Sequence, residues 1–254
     1  MKKLSFLLLC FMLLTGAEVS ARVSYGEDVA SQPDAYFSSN ADAVDSLLIL
    51  PPPPAYDSVL MQKDLAIYNY GMSLRGSDRA KQAASDADDK HLPALFSEAY
   101  GGNISQEQMP ELYILLQRSQ AELSKLSTRT AKDTYKRLRP YVLFKSETCY
   151  PEGEDALRAT SSYPSGHSAR GYGIALILSE INQGRKEIIL RRGYEYGQSC
   201  VICGYNWQSD VDAGRIAAAA GVANLHANQE FQKQLAKAKA EFTRLAQQGL
   251  VKTN

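Results

Sequence analysis

Apolar positions recur at intervals of three and four residues along most of the chain, the period of an amphipathic helix. The pattern runs through residues 56–74, and Ser77 then stands where an N-cap would open a second segment, rich in Ala, Asp and Lys, that continues to Lys90. Residues 93–100 read as a short helix closed by Gly101 and Gly102. Ser105, with Gln108 three residues on, forms a capping pair expected to open a long helix through Leu126. A helix carrying Lys132 follows, and Pro140 is expected to end it. Residues 141–144 form a short apolar connector, the one strand-like piece, and residues 152–159 a turn or two of helix. From Ser165 the chain enters a helix that stays apolar through Leu178, and three more are expected at residues 185–198, 206–224 and 228–248. The second of these is loaded with Ala and Gly for close packing, and the last reads as the most exposed. The predicted fold class is all-α, with a single helical domain over residues 55–254.

The first 54 residues follow another rule. Met1, Lys2 and Lys3 precede an apolar run over residues 4–14 and then Val19-Ser20-Ala21, the three regions of a secretory signal peptide over residues 1–21. That run is too short to span a membrane. Leu9 stands before Cys10 where a lipoprotein signal would want a small residue, so no lipid anchor is expected. Residues 22–54 then read as a turn-rich arm ending in Pro51, Pro52, Pro53 and Pro54, which must be extended polyproline II.

Composition removes whole classes of partner. The 254-residue chain carries 28 basic and 28 acidic residues, and loss of Lys2, Lys3 and Glu18 with the leader keeps the balance near zero. Such a surface has no electrostatic footprint for nucleic acid or an anionic membrane, so the expected partner is small. No cluster of carboxylates and histidines has metal-ligand spacing, and neither a metal nor a cofactor is expected. His91 and His226 read as structural or surface residues. Beyond the leader the cysteines are Cys149, Cys200 and Cys203; export makes a disulfide permissible. Cys200 and Cys203 have redox-motif spacing without the βαβ context that chemistry uses. Nor does Cys200 suit a tyrosine-phosphatase nucleophile, which needs an arginine six residues on, where Asn206 stands.

Candidate chemistry gathers around Pro164-Ser165-Gly166-His167. A serine cap and a glycine at a helix start aim unpaired N–H groups and a positive dipole end at whatever lies in front, and phosphate is a frequent occupant. His167 in that first turn could hand a proton to a leaving oxygen. Lys132 and Arg139 lie seven residues apart, two helical turns, which predicts two cations on one helix face able to hold two phosphate oxygens. The plain alternative is a solvated basic face that also includes Lys136 and Arg137. Asn206 and Asp210 have i, i+4 spacing, again one face.

In this order the three segments resemble the signature of class A bacterial non-specific acid phosphatases, relatives of the type 2 phosphatidic acid phosphatases and vanadium haloperoxidases. The likeness extends to the run at residues 50–54 and to the acidic stretch Asp86-Ala87-Asp88. It implies that Lys132, Arg139, Ser165 and Gly166 hold phosphate, that His167 is the general acid, and that Asp210 orients the nucleophile. It implies a Cys149–Cys203 disulfide with Cys200 left free, a periplasmic location, phosphate monoesters or inorganic phosphate as partners, and room for a homodimer. At two positions the chain departs from the pattern. Cys200 stands where the family has a phosphate-binding arginine, and Asn206 where it has the histidine that forms a phosphohistidine. A carboxamide has no basic nitrogen lone pair, so an impaired phosphatase is expected, with a non-catalytic phosphate-binding protein as the alternative. Vanadate-dependent peroxidase chemistry is the weaker third reading, since it needs the same histidine. Lys132 and Arg139 are also expected to depress the Cys200 thiol and make it reactive.

Overall fold

A computed structural model describes residues 35–37 and 42–254. The leader over residues 1–21 and much of the arm therefore lie outside the described residues. Among those described there is no strand, and no helix is long and apolar enough to cross a membrane. The element order is α1 (Ser46–Ile49), α2 (Val59–Ser73), α3 (Asp78–Ala87), a 3-10 stretch (Asp89–Phe96) running into α4 (Ser97–Tyr100), α5 (Pro110–Ser124), α6 (Arg129–Tyr135) and α7 (Pro140–Phe144). Then come α8 (Glu154–Arg158), α9 (Gly166–Ile181), α10 (Lys186–Ile202), α11 (Gln208–Ala227) and α12 (Gln229–Gln247).

The central element is α9. Ile174, Ala175, Ile177 and Leu178 on it are fully buried, as expected for a helix apolar on nearly every side. It packs against α10, α11 and α5, and α12 covers the far side of α5 with Phe231, Leu235 and Ala238. The approach of α11 to α9 is close enough to require glycine. A Cβ on Gly214 would sit 2.5 Å from the Ser165 carbonyl oxygen.

Ser77 and Ser165 cap their helices as the sequence implies, and Ser58 and Asn228 are caps as well, each of the four accepting from an N–H of the following turn. Prolines do not. Ser105 only makes an isolated turn, with Gln108 N donating to its Oγ at 3.3 Å, and α5 begins five residues later at Pro110. Met109, preceding that proline, is held out of helical geometry at φ −137°. Pro140 likewise opens α7 rather than closing the Lys132 helix, so residues 141–144 are helical and not strand-like. The Lys132 helix, α6, has already stopped at Tyr135, where Lys136 takes φ +46°.

The arm contains the short helix α1 and is tied to the body. Leu50 is buried beside Tyr163, whose hydroxyl donates to Pro51 O at 2.6 Å, and Ser46 and Thr130 share a 2.8 Å hydrogen bond.

Candidate active site

The C-terminal part of α6, the loop after α8, the start of α9, the last turn of α10 and the segment just ahead of α11 open onto one cleft of about 2090 Å³. Ser165 caps α9, accepting from Ser168 N at 3.2 Å, while its own N donates to Asp210 O at 2.9 Å and so fastens α9 to α11. Gly166 allows close approach: a Cβ there would meet Ser124 O at 3.0 Å and Lys132 Cε at 3.8 Å. Lys132 thus stands in front of the helix start.

Lys132 and Arg139 do meet, but not on one helix face. The left-handed turn at Lys136 sends the chain back, and Arg139 sits in extended backbone ahead of α7. A shared acceptor joins them: Ser161 O takes Lys132 Nζ at 2.9 Å and Arg139 Nη2 at 3.3 Å. Arg139 also donates to Leu157 O, Tyr205 O and Thr160 Oγ1 at 3.0 to 3.1 Å. Burial lowers the Lys132 pKa to about 7, helped by the Arg139 charge and opposed by Asp210.

His167 lies stacked on Tyr196, ring centroids 4.2 Å apart and planes within 7°, with the tyrosine hydroxyl 3.4 Å from Nδ1. Burial pulls its pKa down to about 4, against the Asp86 charge and a hydrogen bond to the Asp86 backbone. Asp86 is the buried member of its acidic stretch. It pairs with Arg192, whose Nη1 donates to Oδ2 at 3.1 Å, and accepts Ser199 Oγ at 2.6 Å. Ser199 is therefore spent on the support of His167's surroundings.

Asn206 precedes α11 rather than riding on it. Its Nδ2 donates to Ser162 O at 2.8 Å and lies 3.4 Å from Asp210 Oδ2, while Oδ1 lies 3.4 Å from Ser165 Oγ. Asp210 sits behind it, fully buried, accepting Trp207 N at 2.8 Å and Arg137 Nη1 at 2.6 Å. Burial raises the Asp210 pKa and Arg137 opposes that rise. Arg137 in turn donates to Asp64 Oδ2 at 2.8 Å, and Asp64 Oδ1 accepts Ser209 N at 2.9 Å. Sequence reasoning missed both: Arg137 looked like part of a solvated face, and nothing local marks Asp64.

Of the residues singled out, Lys132, Arg139, Ser165, Gly166, His167, Cys200 and Asn206 all line the cleft. Asp210 does not and acts from behind Asn206. Cys149 and Cys203 have Cα atoms 4.5 Å apart and sulfurs within bonding distance, and Cys200 is free and buried. The expected depression of the Cys200 thiol is overturned. Burial pushes it up to about 12, outweighing Ser165 and Arg139. No group of His, Cys, Asp or Glu among the described residues could hold a metal ion.

A helix start facing enclosed cations suits an oxyanion such as phosphate. A family model described as the PAP2 superfamily matches residues 120–233, the stretch from α5 into α12. The chain is 47% identical over 247 residues to a non-specific acid phosphatase of Providencia stuartii, covering 96% of this chain and 99% of that protein. It is 44% identical over 208 residues to a non-specific acid phosphatase of Salmonella typhimurium, covering 81% and 83%. An acid phosphatase of Zymomonas mobilis is 32% identical over 238 residues, covering 92% of this chain and 89% of its own. The chain accordingly belongs to the non-specific acid phosphatases of the PAP2 superfamily.

Proposed function

We propose that the chain is an exported acid phosphatase acting on phosphate monoesters, whose own turnover is impaired at the nucleophile position. In this reading residues 1–21 are a leader removed on export to the periplasm, residues 22–54 an arm, and residues 55–254 the phosphatase domain, stapled by a Cys149–Cys203 disulfide. The N–H groups of the first turn of α9, with Lys132 and Arg139, hold the phosphoryl oxygens. His167 passes a proton to the leaving oxygen. Burial holds its pKa near 4, and a bound phosphate anion beside it raises that value so that it serves as an acid at about pH 5 to 6.

The observation that carries the impairment is Asn206. Its carboxamide lies between Asp210 and Ser165, where a histidine would donate one ring N–H to Asp210 and present its other nitrogen to phosphorus. An amide nitrogen has no basic lone pair to form that bond. Losing a covalent nucleophile costs on the order of 10⁴ to 10⁶ in turnover.

The test is phosphate release from p-nitrophenyl phosphate by the unmodified chain, Asn206→His, Cys200→Arg and the double variant. Turnover near background is expected for the unmodified chain, partial recovery for Asn206→His, and almost none for Cys200→Arg alone. Binding of phosphate without recovery in any variant would mean a non-catalytic binding protein. An unmodified chain within about tenfold of the double variant would remove Asn206 from the nucleophile position.

A further inference from the structure

The cleft is also lined by a cation that the sequence motifs do not include. Arg170 is one helical turn beyond Gly166 on α9, so Gly166, His167 and Arg170 share a face, and all three line the cleft. It is only 7% exposed, and a guanidinium so enclosed carries five donors in a fixed fork suited to an oxyanion.

The packing of α9 on α10 sets which level of α10 lies beside the start of α9. Gly171 faces Tyr196, Ser168 faces Gly197, and Ala175 faces Gly193, so the two helices run antiparallel. Continued by one turn, the register brings Cys200 level with Gly166 and His167, at the phosphate end of α9. Helical side chains lean toward their own helix N-terminus, and Arg170 therefore leans back toward this same level. A cysteine there is far shorter than the arginine that the resemblance implies, and Cys200 itself lines the cleft.

We infer that Arg170 supplies, from α9, the guanidinium that binds a phosphate oxygen in the space left by cysteine at position 200. This rests on the reading of the cleft as a phosphate site, and it means that the Cys200 position does not empty the site of its second arginine. Electrostatics agrees with the geometry: after burial and the nearer Ser165 hydroxyl, the charges bearing on the Cys200 thiol include both Arg139 and Arg170.

The test is calorimetric titration of inorganic phosphate into the full chain and its variants at pH 6. Arg170→Met should weaken binding roughly 10- to 100-fold, the worth of one charge-assisted contact. In a Cys200→Arg background the same change should cost less than about threefold, because the new guanidinium takes over the oxygen. Arg170→Lys, which keeps charge and length but loses the fork, should fall between, and it carries the test if the methionine variant fails to fold. Lys132→Met is the control for the site itself. Weakening by Lys132→Met with no effect of Arg170→Met or Arg170→Lys would leave the phosphate site standing and overturn the role of Arg170. Equal losses from Arg170→Met in both backgrounds would overturn the substitution of one arginine for the other. If neither Lys132→Met nor Arg170→Met changes binding, the cleft is not the phosphate site at all.

Discussion

Arg137 lies between the carboxylates of Asp64 and Asp210, and all three side chains are at most 3% exposed. Removing the cation leaves two negative charges facing each other in a dry interior, where breaking a buried pair costs about 3–5 kcal/mol. Arg137→Met should therefore lower unfolding stability by about that much in a urea titration, far more than a change in a solvated basic face. A loss under about 1 kcal/mol would return Arg137 to the surface role its neighbours suggest. Cys200 provides a second check at this scale. With the thiol pushed up to about 12, roughly one part in ten thousand is thiolate at pH 8. Iodoacetamide should label it only on unfolding, and labelling of the native protein within a few-fold of the unfolded rate would contradict the burial. The sequence made Lys132, Arg139, His167 and Asp210 legible because their motif spacing survives any fold. It hid Arg137 because the turn at Lys136, φ +46°, decides which cation faces inward, and that turn is made by a lysine with no local signal. It hid Asp64 because its partners arrive from the stretch after α6 and from α11, far along the chain.

At the level of elements, the site depends on how tightly α11 crosses the start of α9. An added methyl at Gly214 would come within 2.5 Å of the Ser165 carbonyl and 3.0 Å of Ser168 Cβ, backbone and side chain of the capping turn itself. Gly214→Ala should cost about 1–3 kcal/mol by overpacking and should also weaken phosphate binding, since the displaced group is the helix start. Gly221→Ala, about two turns further along α11, meets Leu123 at an ordinary 3.4 Å and should be close to neutral in both measurements. If the two alanines behave alike, the crossing is softer than described. Long helices such as α2, α9 and α12 were readable from period and caps, and their ends fall within a few residues of the expectation. The misreadings cluster at proline. Pro110 and Pro140 sit at the first position of a helix, where a missing N–H costs nothing, and sequence alone does not separate that use of proline from a helix stop. A different misreading placed Asn206 on α11: its i, i+4 spacing to Asp210 suggested one helix face, but the extended Trp207 holds it outside.

Across the whole molecule, His167, Lys132 and Glu122 each give stability a signed dependence on pH near neutrality. His167, lowered to about 4, and Lys132, lowered to about 7, are protonated more readily in the unfolded chain. Folding is therefore favoured as pH rises from about 4 to 6.5 through His167, and from about 7 to 10.5 through Lys132. Glu122 works the other way. It is 1% exposed, between α5 and α11, where Oε1 accepts Asn224 Nδ2 at 3.3 Å and Oε2 has no partner among the described residues. Burial raises its pKa to about 7 against the help of Asn224, so the unfolded chain releases this proton first. Its contribution is complete below about pH 4.5 and is lost as pH rises through about 7. The Asn224 amide also donates to Asp42 O at 2.8 Å, which ties the ionisation to the docking of the arm. Glu122→Gln keeps the shape and stays neutral at every pH. Its thermal midpoint should match that of the unmodified protein at pH 4 and exceed it at pH 8, with the difference opening between about pH 5 and 7. Parallel midpoint curves for the two proteins across that range would show that Glu122 ionises in the folded chain as freely as in the unfolded one.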